Sequence, residues 1–186
     1  TFRGHGGESE SDRQSFMVGV LLTDTRLSLE AKDRKGAASR IERIGNVLEK
    51  TFEGTGTDLI QEAERVESGG DLATTLEKLD QWEKSAGESE DEEEVWVVNP
   101  DYVTFGKWAE AARLAAVLQK QDFFDRRNRR VLSYVLGSEE MAPAEEVVKD
   151  LREIERIWDK GDLQPQDFLA LAEKFKSILG AYDFTA

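Results

Sequence analysis

The sequence predicts an all-α protein of about eight helices, arranged as two duplicated four-helix units that form a hairpin array or paired bundles. Three observations lead there. Ala, Leu, Glu, Lys, Arg and Gln dominate a chain with only three prolines, and its one β-like run is Val95–Val98 (VWVV). Apolar residues recur at helical spacing through most of the rest. Two nine-residue stretches, Glu64–Leu72 (ERVESGGDL) and Glu155–Leu163 (ERIWDKGDL), repeat a pattern that reads as a helix end, a glycine turn and an aspartate capping the next helix.

Taken in order, Thr1–Ser11 (TFRGHGGESES) is Gly-, Ser- and Glu-rich and reads as a flexible tail. A first helix starts near Ser11 or Asp12, with Met17, Val20, Leu21, Leu27 and Ala31 as its stripe and Phe16 beside it; Asp24, near that stripe, is expected to pair with an arginine. Asp33–Gly36 breaks it. A second helix over Ala37–Phe52 buries Ala37, Ile41, Ile44, Leu48 and Phe52. The glycine loop Glu53–Thr57 leads to a short third helix ending near Glu67, capped by Thr57 or Asp58. Asp71 caps a fourth, whose stripe is Leu72, Leu76, Leu79 and Trp82 and which ends at Gly87.

Glu88–Glu94 (ESEDEEE) holds six acids in seven residues and reads as a solvated linker, since such a run repels itself. It lacks the glycine and alternating oxygens of a calcium loop. Val95–Val98 then forms an extended strap that packs Trp96 on the helices. Pro100 opens a fifth helix reaching about Lys120, with Phe105, Trp108, Ala112, Ala115 and Leu118 inward. Asp122 caps a sixth over Phe123–Leu136, burying Phe124, Val131, Tyr134 and Val135. Pro143 opens a seventh (Val147, Leu151, Ile154, Trp158), and Asp162 and Pro165 precede the last (Phe168, Leu171, Phe175, Ile178, Leu179). Tyr182 and Phe184 predict a docked C-terminus. The expected organisation is thus a tail at 1–11, unit one at 12–87, linker and strap at 88–99, and unit two at 100–182.

The duplication rests on ordered matches. A shift of 87 residues lays Gly19 on Gly106, Arg26-Leu27 on Arg113-Leu114 and Ile44 on Val131; shifts of 91 and 93 align the two nine-residue stretches, then Trp82 with Phe175 and Gly87 with Gly180. The shift grows only at loops. The turns at Asp33, Gly70-Asp71, Asp122 and Gly161-Asp162 resemble those of tetratricopeptide-type hairpins. The alanine and glycine positions that let such hairpins nest are not present as a set, so the family is not assigned.

Much chemistry is missing. There are no cysteines, and the single histidine, His5, lies between glycines in the tail; with neither a second histidine nor a thiol, paired axial histidines, Glu-x-x-His di-iron bundles and histidine-based triads are excluded in cis. The glycine clusters at Gly4–Gly7 and Gly54–Gly56 lack the lysine and strand of a phosphate loop. No cofactor is expected. A net charge of −14 argues against nucleic acid and against an anionic membrane surface. The longest apolar run, Phe16–Leu22, is far too short to span a bilayer. The chain begins with Thr1, and no signal peptide is visible near that end, which reads as a processed or trimmed product and leans toward a cell-envelope or secreted protein.

The one basic cluster is Asp125–Arg130 (DRRNRR). On a helix Arg126 and Arg130 share a face with Arg127 to one side, a site for a carboxylate, a phosphate or an acidic partner; the competing reading is pairing with the chain's own acids. Arg26 and Arg113, matched by the repeat, either line a shared groove or each pair with an acid, such as Glu110 for Arg113. Arg65 and Arg156 sit near helix ends, where the dipole favours them. Trp82, Trp108, Trp158, Phe124 and Phe175 follow the helical period, as core or as the wall of an apolar cavity.

The function expected is a non-catalytic interaction or scaffold module that binds a protein partner through a groove of repeated helices. The alternative is a binder of an apolar or anionic small molecule between the halves, with Trp108, Trp158 or the Arg126 cluster as contacts. An enzyme using carboxylates alone is the third class; it requires two carboxylates in a cleft with opposed pKa shifts.

Overall fold

The computed structural model describes residues 8–51, 54–87 and 98–183, and among these it holds eight α-helices and one 3-10 turn, with no strand. The helices are α1 (Glu10–Glu30), α2 (Arg34–Thr51), α3 (Thr57–Glu67), α4 (Leu72–Gly87), α5 (Pro100–Val117), α6 (Arg129–Gly137), α7 (Glu145–Trp158) and α8 (Pro165–Ala181). The all-helical class is as the composition predicts. His5, Phe52, the acidic run Glu88–Glu94, Trp96 and Phe184 lie outside the described residues. No described helix is long and apolar enough to cross a membrane.

Two compact units divide the chain, one of Gln14–Lys107 and the other of Thr1–Arg13 with Trp108–Ala186. We call them the α1–α4 unit and the α6–α8 unit; the division falls inside α1 and α5.

At the start of α1, in the segment that belongs with the α6–α8 unit, Ser9 and Asp12 form a reciprocal cap. The Ser9 hydroxyl accepts the Asp12 N–H (3.1 Å), and the Asp12 carboxylate accepts the Ser9 N–H (3.1 Å). Beyond it α1 departs from the predicted stripe. Phe16, Val18, Val20, Leu21, Leu22 and Leu29 are buried together with Ser15, Thr25 and Ser28, whereas Leu27 is 44% exposed and Ala31 is exposed. A helix covered on most of its sides carries no stripe for a 3.6-residue period to detect. Its small polar residues bond locally: the Thr25 hydroxyl donates to the Leu21 carbonyl at 2.7 Å.

Two glycines set how α1 meets the start of α5. A Cβ on Gly19 would fall 2.1 Å from the Val103 carbonyl oxygen, and one on Gly106 would fall 2.1 Å from that of Phe16. Only glycine permits that approach. Phe16 and Phe105 then meet edge-to-face, 5.0 Å between centroids, and Asn99 donates its N–H to the Ser15 hydroxyl. A second glycine contact fixes α2 on α3, where a Cβ on Gly56 would lie 2.0 Å from the Gly45 carbonyl oxygen. The intervening loop is gathered by Glu49, whose carboxylate accepts the N–H groups of Gly54 (2.8 Å) and Gly56 (2.9 Å) and the Thr57 hydroxyl (2.8 Å). The Gly54 bond first, then those from Thr57 and Gly56, hold the Glu49 carboxyl below its ordinary range.

In the α6–α8 unit, Val147, Leu151, Ile154 and Trp158 of α7 and Phe168, Leu171, Phe175, Ile178 and Leu179 of α8 are buried, as their spacing predicts. Tyr182 is buried as well and docks the C-terminal end. Its hydroxyl bonds Glu8, and the Arg13 guanidinium donates to the Ala181 carbonyl (3.0 Å) and to Asp183 (2.9 Å).

Candidate functional site

A hollow lies between α3 and α4. It has a volume of about 660 Å³, with Leu59, Leu79 and Trp82 on its apolar walls and Asp58, Gln61, Gln81 and Ser85 toward solvent. Its existence follows from how α4 is seated. Of the stripe Leu72, Leu76, Leu79 and Trp82, only Leu79 is fully buried; the other three are half-covered. The glycine contact draws α3 onto α2 and leaves the α3–α4 pair more loosely packed.

A buried polar cluster closes one part of the groove. Glu62 is only 5% exposed. Its carboxylate accepts Arg65 Nε (2.9 Å), Lys78 Nζ (2.7 Å) and the Thr75 hydroxyl (2.6 Å), and Arg65 Nη2 also bonds it and reaches the Thr75 hydroxyl oxygen (2.8 Å). Burial pushes the Glu62 carboxyl up, but the bonds from Arg65, Lys78 and Thr75 outweigh it and bring it down to about 2. The α3–α4 turn supports the cluster. Gly69 adopts φ +99°, the Gly70 N–H returns to the Arg65 carbonyl, and the Asp71 carboxylate caps α4 by accepting the Thr74 N–H at 2.8 Å.

The partner stretch Glu155–Leu163 does not repeat this turn. There the left-handed residue is Gly161, one position later in the alignment, and α8 is capped at Gln164 and Asp167 in place of Asp162. Gln121 bridges the altered loop: its side-chain amide donates to the Gly161 carbonyl (2.9 Å) and accepts the Leu163 N–H (3.2 Å).

The basic cluster is not on one helix. Gln121–Phe124 forms the 3-10 turn, residues 125–128 form a further turn, and α6 begins only at Arg129. Asp125, not Asp122, organises the turn by accepting the N–H groups of Arg127 (2.8 Å) and Asn128 (3.1 Å). Arg126 and Arg130 therefore do not share a helical face. Arg129 pairs with Asp159 and, at 3.9 Å, with Glu155. Arg126, Arg127 and Arg130 are exposed, and their guanidinium groups have no ion pair among the described residues.

Trp108 and Trp158 come together, both buried, as a stacked pair 6.3 Å apart and 9° from parallel. Phe175 packs edge-on to Trp108 and Phe124 edge-on to Trp158, whose Nε1 donates to the Phe124 carbonyl at 2.8 Å. Arg26 and Arg113 are paired differently. Arg26 leaves α1 to bond Asp80 (2.6 Å) and Glu83 (2.8 Å) on α4, whereas Arg113 bonds Glu110 one turn back on α5, at 2.6 and 2.8 Å. Asp24 meets Arg40 at 3.6 Å. Leu118 and Tyr134, expected inward, are 65% and 45% exposed, because α5 ends at Val117 and α6 starts six residues later than its spacing suggests.

Sequence reasoning assigned Trp82 and Leu79 to a core stripe and missed the groove. Its signal was Gly45, which has no place in an α2 stripe unless something approaches closely there. Among the described residues no group of three or more His, Asp or Glu is placed to hold a metal ion. No protein-family model, no curated protein and no solved structure matches this chain.

Proposed function

We propose that this protein is a non-catalytic interaction module whose α3–α4 groove receives a segment of a protein partner. The observation that carries the reading is the half-covered apolar stripe of α4, with Trp82 standing in a hollow of about 660 Å³. An aromatic side chain on an apolar floor, rimmed by Gln61, Gln81 and Ser85, is the composition of an interface anchor. The Glu62–Arg65–Lys78 cluster supports it by holding α3 and α4 at a set separation without filling the space between them. Among the described residues, the carboxyls that shift clearly, Glu49, Glu62, Asp71 and Asp167, are pulled down, whereas a general acid at neutral pH needs one pushed up.

We further propose that the chain holds two copies of a four-helix unit. The 87-residue shift that aligns Gly19 with Gly106 also aligns Lys32 with Gln119, and both of these close their helices at positive φ, 59° and 53°. The N–H groups of Lys32 and Asp33 return to Leu29 and Ser28, as those of Gln119 and Lys120 return to Ala116 and Ala115.

A photo-crosslinking residue at Ser85, introduced into the protein in its own cells, tests the groove. A discrete protein adduct that disappears in Trp82→Ala supports the reading. No adduct, together with extra mass of a few hundred daltons in native mass spectrometry, transfers the function to small-molecule binding.

A further inference from the structure

We propose that the turn before α6 and the outer face of α7 form a docking surface for a short acidic segment of a partner protein, separate from the α3–α4 groove. Arg126, Arg127 and Arg130 stand exposed without ion pairs among the described residues, in a chain whose net charge is −14. Arg13, Arg26, Arg40, Arg65, Arg113 and Arg129 each pair with an acid, whereas Arg126, Arg127 and Arg130 gather on one side of the α6–α8 unit without one among the described residues. Arg129, between them, ties the start of α6 to Glu155 and Asp159 on α7. Around α7, Arg152 and Arg156 lie about 60° and 100° from Glu155, with Lys149 in line. Those three are exposed, have no ion pair among the described residues, and line a shallow hollow of about 340 Å³ with Val148, Glu145 and Glu153. The core side of α7, with Val147, Leu151, Ile154 and Trp158, is opposite.

Asp125, Asp159, Glu155 and Glu153, among the nearby acids, are already engaged. Asp125 is held by the N–H groups of its own turn, Asp159 and Glu155 by Arg129, and Glu153 by Lys174. Glu145 is in the first turn of α7, where the helix dipole favours it. What remains is a set of guanidinium forks suited to carboxylates. The occupant is short because the stripe from Lys149 to Arg156 spans about 10 Å. At physiological salt, charges are screened beyond about 8 Å, so a short acidic peptide feels this patch alone. A nucleic-acid duplex would reach past it to the acidic remainder of the surface.

The test is fluorescence anisotropy of a short fluorescein-labelled peptide of alternating Glu and Ser, titrated with the full chain. The expected result is saturable binding that weakens about tenfold or more in the triple variant Arg126→Glu, Arg130→Glu, Arg152→Glu. Lys35→Glu, an exposed charge reversal on α2, should leave binding unchanged. Absence of saturable binding overturns the proposal, as does an equal loss in Lys35→Glu. Displacement of the peptide by a DNA duplex at lower total charge also overturns it, in favour of a phosphate surface. Should the triple reversal fail to fold by circular dichroism, the neutral triple Arg→Gln variant decides: wild-type affinity in it overturns the proposal, and a severalfold loss supports it.

Discussion

Gly19 and Gly106 are reciprocal: each stands against the carbonyl oxygen three residues before the other, Val103 and Phe16, at the same 2.1 Å from the Cβ it lacks. Backbone atoms cannot step aside as a side-chain tip can. Gly19→Ala or Gly106→Ala should each lower stability by about 3 kcal/mol, the upper end of ordinary overpacking. Once one substitution has forced α1 and α5 apart, the second should add little, so the double variant falls short of the sum. Thermal melts of the three variants measure this; an unchanged melting temperature in either single variant would contradict the close crossing.

Acid should find Glu62. Its carboxyl lies at about 2 in the folded protein against an ordinary 4.5, so its contribution is fully present above pH 4.5 and is lost as pH falls toward 2. Urea titrations across that window should show a steeper loss in the native protein than in Glu62→Gln. At neutral pH that variant should be weaker by about 1–3 kcal/mol, because Arg65 and Lys78 lose their acceptor. Identical pH slopes in the two proteins would remove Glu62 from the account.

How far the fold is legible in the sequence differs by helix. α7 alternates Val147, Leu151, Ile154 and Trp158 with charges, and every one of those four is buried. α1 hid its burial, since a helix covered on most of its sides offers little contrast, and Leu27, expected inward, is exposed. On α5, Phe105, Trp108, Ala112 and Ala115 are buried as their spacing predicts, and Leu118, past the helix end at Val117, is not. The Arg126 turn was misread for a local reason. Asp125 outcompetes a continuous helix by bonding the N–H groups two and three residues on, a competition that periodicity does not register. The groove was illegible because it depends on the spacing between α3 and α4, and that spacing is set by Gly45 on a third helix.

Lys32 and Gln119 hold left-handed backbone that favours glycine, with φ of 59° and 53°. Lys32→Gly and Gln119→Gly should each raise stability by roughly 0.5–1 kcal/mol, the relief of strain exceeding the added freedom of the unfolded chain. Chemical denaturation midpoints test this, and a loss at both positions would argue against the left-handed helix ends.

The tryptophans should separate by role. Trp158→Ala opens a cavity beside Trp108 and Phe124 and should cost about 3–5 kcal/mol. Trp82→Ala, on a half-covered side chain, should cost less than half as much while abolishing the Ser85 adduct. Comparable destabilisation by both would make Trp82 core.

Arg13 closes the C-terminal end from the start of α1, but Asp183 is 84% exposed. Arg13→Ala should therefore cost no more than about 1 kcal/mol globally. It should nonetheless speed amide exchange over the last turn of α8, read by hydrogen–deuterium exchange; unaltered exchange there would show the contact to be idle.

The stacked pair also fixes what this protein looks like under ultraviolet light. Indoles as close as Trp108 and Trp158 exchange excitation before they emit, so they shine as a single donor shielded from quenchers dissolved in water. Trp82, half-covered and open to the groove, should emit toward the red and be reached by acrylamide. In a Trp96→Phe background, occupation of the groove should thus register as the loss of the quenchable component, with no label added.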